Sequence, residues 1–132
     1  MRNRMVKTYL LAMAAFWFVF GLITIFFPPL MDLFASPQGV AAGTGFSDHV
    51  WMHGGLDIVS FCIVLVGAAL FLPGLTPNML RAVGLAGFMP VIAIIHSATA
   101  SPYWTPFFLI PGAGCAFFAI MGFVLARRAD PA

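Results

Sequence analysis

Charge is scarce in this sequence. Only 8% of the 132 residues are charged, against about a quarter in ordinary soluble domains, so the chain cannot cover itself with a solvated surface. Catalytic signatures are missing too: there is no nucleotide-cradling glycine loop, Gly-x-Ser-x-Gly elbow, His-Glu-x-x-His pair or CxxC, and no reaction is indicated by motif. An enzymatic role is therefore not the expectation. Cysteine is limited to Cys62 and Cys115, each alone in the middle of an apolar run; free buried thiols are expected there rather than a bridge. The net charge of +2 is small and the six Lys and Arg residues sit at the ends of apolar runs, so no basic face for nucleic acid exists.

What the sequence does contain is hydrocarbon. Hydrophobic residues make up 62% and the mean hydropathy is +1.04, values that belong to an integral membrane protein. A membrane core about 30 Å thick takes about 20 apolar residues to cross, which leaves room for four crossings. The expected fold is all-α, a single domain over residues 1–132 built as an antiparallel four-transmembrane-helix bundle, with helices at about 9–28, 48–72, 79–100 and 105–126.

The breaks follow from local chemistry. The first run follows Arg2, Arg4 and Lys7 and is too long for a secretory h-region of about 7–15 residues, so it reads as a retained helix ended by Pro28 and Pro29. It carries no acid, base or histidine between Tyr9 and Phe27. Residues 31–47 form a longer connection rich in Gly, Ala, Ser and Pro, in which Leu33 and Phe34 could form an interfacial half-turn. The second helix should start at Ser47 or Asp48 and stop before Pro73-Gly74, the third should start from an Asn78 cap, and Thr105-Pro106 should cap the fourth. Pro111 should kink that helix near its start.

Orientation is read from the bases. Arg2, Arg4, Lys7, Arg81, Arg127 and Arg128 all fall on one side of a four-crossing path, and the two opposite connections carry no Lys or Arg. The positive-inside rule then places both termini in the cytoplasm, with Tyr103 and Trp104 in the outer aromatic belt. Short loops favour antiparallel neighbours, and Ala82, Ala86, Gly112, Ala116 and Gly122 are candidates for close helix approach.

One stretch departs from this uniform greasiness. In SDHVWMHGGLDIVS, residues 47–60, a helix turning about 100° per residue puts His49, His53, Asp57 and Ser60 at roughly 0°, 40°, 80° and 20°, on one narrow face. A charged side chain in hydrocarbon costs about 2.5 to 3.5 kcal/mol on insertion scales, so such residues are expected to face a bundle interior or wet cavity. His53, Asp57 and His96 lie about 8, 13 and 6 Å below the outer boundary. His53 and His96 are thus nearly level on consecutive helices, and His49, His53, Asp57, Ser60 and His96 form the candidate ligand-binding set.

Several readings of that set stand side by side. His53 and His96 could bind a metal, or ligate a haem across facing helices. His and Asp in a membrane cleft could hydrogen-bond a quinone-like molecule and pass protons. The plainest alternative is that His53, Asp57 and His96 only tie two helices together, at about 0.6 kcal/mol for each interhelical polar contact. A small proton-coupled exporter fits less well, because that design has a membrane-embedded acid in its first helix.

With four short-looped helices, the Gly54-Gly55 pair and the terminal Ala126-Arg127-Arg128, the chain resembles the DoxX-like group of small four-helix bacterial membrane proteins. The resemblance implies an accessory or quinone-associated membrane component, and no catalytic residue carries over from it. The functional expectation is a small polytopic accessory or structural subunit of a larger membrane complex. Its partners would be lipid and other membrane subunits or further copies of itself. The alternative is a stand-alone ligand or redox protein using a quinone-like molecule, a metal or a haem.

Overall fold

The computed structural model describes residues 2–42, 46–71 and 76–129. Its helices are α1 (Arg2–Phe26), α2 (Pro37–Ala42), α3 (Phe46–Phe71), α4 (Pro77–Ala100) and α5 (Leu109–Ala129). Short 3-10 turns at Pro28–Leu33 and Pro106–Phe108 precede α2 and α5. Among the described residues four helices are long and apolar enough to cross a membrane. The chain is therefore an all-α, multi-pass membrane protein by architecture.

Helix ends differ from the apolar runs for identifiable reasons. α1 begins at Arg2, seven residues before the greasy run, because its basic first turns are helical as well; the Thr8 hydroxyl donates back to the Arg4 carbonyl at 2.9 Å. It stops at Phe26, since Phe27 leaves helical geometry (φ −133°, ψ 52°) ahead of Pro28, as a residue before proline tends to. The cap of α4 is Thr76, not Asn78. Thr76 is extended (φ −70°, ψ 155°), its oxygen accepts from the Met79 N–H at 3.3 Å, and Pro77 follows in the first turn, where its missing N–H costs nothing. Asn78 instead accepts from the Arg81 guanidinium at 2.7 Å.

The kink expected at Pro111 is not required where that residue sits. Pro111 is the third residue of α5, where the backbone N–H has no intrahelical partner in any case, so no kink is required. The proline inside a helix is Pro90 of α4, which leaves the Ala86 carbonyl without its i+4 donor.

Packing divides the bundle into two hairpins. α3 lies along α1 and α5 lies along α4, while a narrower α1–α5 contact joins the pairs. Each hairpin closes on glycine. A Cβ on Gly55 would stand 2.5 Å from Thr24 Oγ1 and 2.9 Å from the Gly21 carbonyl; one on Gly84 would stand 2.9 Å from the Ala119 carbonyl, and one on Gly122 3.0 Å from the Gly84 Cα. Of the small residues expected at contacts, Gly112 and Gly122 are buried and Ala116 is half-buried, whereas Ala82 and Ala86 are exposed. Gly84, Gly87 and Ala119 provide the close α4–α5 approach in their place.

The pairs meet through Tyr9, whose hydroxyl donates to the Phe118 carbonyl at 2.8 Å, and through the Phe16 and Phe118 rings, 5.3 Å apart. Leu10, Met13, Leu65, Leu80 and Cys115 fill the core beneath. α1, touching both neighbours, is the most buried span, and α3 and α4 are the least.

The two base-free connections are not loose loops. Ala35 and Trp104 form an isolated antiparallel bridge. The Ser36 N–H donates to the Tyr103 carbonyl at 2.9 Å, and the Thr105 N–H donates to the Phe34 carbonyl at 2.8 Å. The Ser36 hydroxyl adds a bond to the Pro102 carbonyl at 2.7 Å. Trp104 stacks on Phe108 at 4.6 Å and 15°, with Phe34 5.8 Å from the same ring. These strands of backbone form a tied aromatic cap over one end of the bundle, and the six bases belong to helix ends leading away from it.

Candidate functional site

The polar stripe of α3 is best understood from the row that α3 packs. Gly55, Cys62, Leu65 and Ala69 are buried and Ile58 is half-buried, a spacing of three and four residues that forms the face turned to α1. Positions 57 and 60 lie roughly 120° and 180° around the helix from that row. Asp57 and Ser60 are accordingly exposed. The Ser60 hydroxyl is satisfied locally, donating to the Leu56 carbonyl at 2.9 Å, the usual way a serine is accommodated inside an apolar helix.

His96 obeys the same geometry on α4. Leu80, Gly84, Gly87 and Ile94 are buried, and position 96 lies roughly 165° from them; His96 is exposed. One turn away the Thr99 hydroxyl donates to the Ile95 carbonyl at 2.7 Å.

The expectation that the polar residues face a bundle interior is therefore corrected for Asp57, Ser60 and His96, all of which are exposed. The reason is the order of packing. α3 and α4 are consecutive but have at most marginal contact among the described residues, because α3 lies against α1 and α4 against α5. Asp57 and His96 thus stand on separate outer faces. His49 and His53 belong to the backbone of α3, and their side chains lie outside the described residues, as does the expected approach of His53 to His96. Among the described residues no three His, Cys, Asp or Glu side chains converge as metal ligands.

Two features were not apparent in the sequence. The first is the cap: Leu33, Phe34, Tyr103 and Trp104 were legible as interfacial residues, but the backbone bridge that ties the two connections together was not. The second is Trp17 of α1, 5% exposed, whose indole nitrogen has no hydrogen-bond partner. Its ring is held edge-on between Phe16 at 5.6 Å and Phe20 at 6.4 Å, so it serves here as apolar bulk. Cys62 and Cys115 are buried free thiols, as expected.

Comparisons with protein-family models, curated proteins and solved structures find no match to this chain.

Proposed function

We propose that the chain is a small accessory subunit of a larger membrane assembly, and that the polar stripe of α3 is the face it presents to its partner. The observation that carries this reading is the exposure of Asp57 on a membrane-length helix. Eleven residues separate it from the start of α3, which puts it about 16 Å along the helix. A carboxylate left against lipid at such a depth costs about 2.5 to 3.5 kcal/mol, and the usual remedy is a protein partner or a wet cavity. Asp57 is exposed rather than enclosed between helices, and we read its remedy as a protein partner. The outward His96 adds a second polar contact of the same kind.

A quinone, metal or haem held within one copy would need α3 and α4 to face each other, which the two-hairpin arrangement does not favour. If such a ligand binds, it does so where the stripe meets another subunit. The DoxX-like resemblance agrees with an accessory role. The base asymmetry supports both termini being cytoplasmic and the aromatic cap outside, and the DoxX-like resemblance supports a bacterial inner membrane.

A photo-crosslinking residue at position 60, with a second at position 85 on an exposed part of α4 as a control, tests the proposal in intact membranes. Position 60 should cross-link to protein and position 85 to lipid. Cross-linking of position 60 to lipid alone would defeat the subunit reading.

A further inference from the structure

A second surface, remote from the polar stripe, has the shape and charge of a lipid site. Between α1 and α5 runs a groove of about 420 Å³ whose length is set by antiparallel helices: Arg4 and Leu125 lie at one end, Ala12 and Phe117 at the other. Phe118 and Met121 form its apolar wall. Its one aromatic hydroxyl, on Tyr9, is already engaged with the Phe118 carbonyl. The Thr8 hydroxyl is likewise bonded to the Arg4 carbonyl. Arg4 is the charged residue that lines the groove, at its end beside Leu125, and Arg128 follows Leu125 by three residues on α5, on the same helix face.

A comparable groove of about 480 Å³ lies between α1 and α3, lined by residues such as Leu11, Phe18, Ile63 and Phe71, with no charged side chain. The two grooves are alike in size and greasiness and differ in the base. That difference is chemically directional: a guanidinium pairs with a phosphate through two parallel hydrogen bonds, and basic pockets between transmembrane helices suit anionic headgroups. We propose that the α1–α5 groove binds one anionic phospholipid, an acyl chain lying along Ala12, Phe117 and Phe118 and the headgroup phosphate pairing with Arg4. Charge complementarity at the mouth and an unbroken apolar trough behind it select a lipid over a free anion. The α1–α3 groove should take any acyl chain without preference.

Native mass spectrometry of the full chain in mild detergent would test this, using phosphatidylglycerol and phosphatidylcholine with identical palmitoyl-oleoyl chains. Phosphatidylglycerol should be retained at least about fivefold more strongly. Arg4→Gln should reduce that preference about fivefold, equivalent to ~1 kcal/mol, while Arg4→Lys keeps most of it. Ala12→Phe should displace the lipid although Arg4 is intact, and Gly67→Phe in the α1–α3 groove should not. Thermal melts establish that each variant folds; should Ala12→Phe fail, the Arg4 pair decides alone. Equal retention of the two lipids, an unchanged preference in Arg4→Gln, or full competition by glycerol phosphate would each overturn the proposal. The last result would mean a free-phosphate site, and equal retention would mean ordinary annular lipid or a groove filled by a partner helix.

Discussion

Gly54 and Gly55 are adjacent in one helix, yet alanine should act on them in opposite directions. At Gly54 an added Cβ meets nothing within 4 Å, so Gly54→Ala changes only the backbone, and replacing a helical glycine with alanine is worth about 0.8 to 1.0 kcal/mol. At Gly55 the same methyl group would lie 2.5 Å from Thr24 Oγ1, 2.6 Å from Ile25 Cγ1 and 2.9 Å from the Gly21 carbonyl. None of these can step aside cheaply. Thr24 is 1% exposed and its hydroxyl is bonded to the Gly21 carbonyl at 2.8 Å, and that carbonyl is helix backbone. The helices must part instead, and a gap of 0.5–1 Å forfeits about a quarter to a half of each dispersion contact. Overpacking of this kind costs about 1–3 kcal/mol, which offsets or exceeds the propensity gain, and among the described residues α3 has no other broad interface on which to fall back. Gly55→Ala should therefore lose up to about 2 kcal/mol net, and Gly54→Ala should gain up to about 1 kcal/mol. Reversible unfolding in mixed detergent micelles, followed by helical circular dichroism, measures both. A Gly55→Ala protein as stable as the parent would refute the close α1–α3 crossing.

Other consequences are open to direct measurement. Gly39→Ala would drive a methyl group into the Tyr103 carbonyl; it should untie the cap and make a cysteine placed at position 104 react faster with a water-soluble maleimide, with little change in helix content. Tyr9→Phe removes the Tyr9–Phe118 bond between the two hairpins and should cost about 0.6 kcal/mol, the average for interhelical bonds in membranes, read as a lowered unfolding midpoint. Cys62 and Cys115 are 3% and 1% exposed, so both should resist maleimide in mild detergent and react within minutes in denaturing detergent; fast labelling of the folded protein would contradict the core described above. Reporter fusions at residue 40 and at the C-terminus should report opposite compartments, and a shared compartment would rule out four crossings.

How much the sequence determined depends on which property was being read. Span number and position came through because each follows from a local quantity: about 20 apolar residues to cross the core and proline or polar punctuation between runs. Most helix ends moved by only a few residues, as where Thr76 replaced Asn78 as cap, while the start of α1 moved by seven as the basic first turns joined it. The packing faces did not come through. A soluble helix announces its buried side by an apolar stripe against polar residues, but a span that is apolar all round carries no such stripe. Selection among faces was made by fit. Gly122 was among the residues expected, but on α4 Gly84 and Gly87 were chosen over Ala82 and Ala86 because one pair of backbones could approach closely, and a hydropathy pattern contains no trace of that.

The same gap explains Asp57 and His96. The sequence by itself determined that the stripe exists and that its members share a face of α3. Whether that face turned inward depended on which helix lay beside α3, and chain order suggested α4. Tertiary structure put α1 there, because Gly55 nests against Gly21 and Thr24 while α4 closes on α5 through its own glycines. Once those two hairpins form, Asp57 and Ser60 of α3 are left on the outside. Gly55, two residues before Asp57, takes part in that outcome, but its role depends on Gly21 and Thr24 of α1, which nothing local to the stripe records.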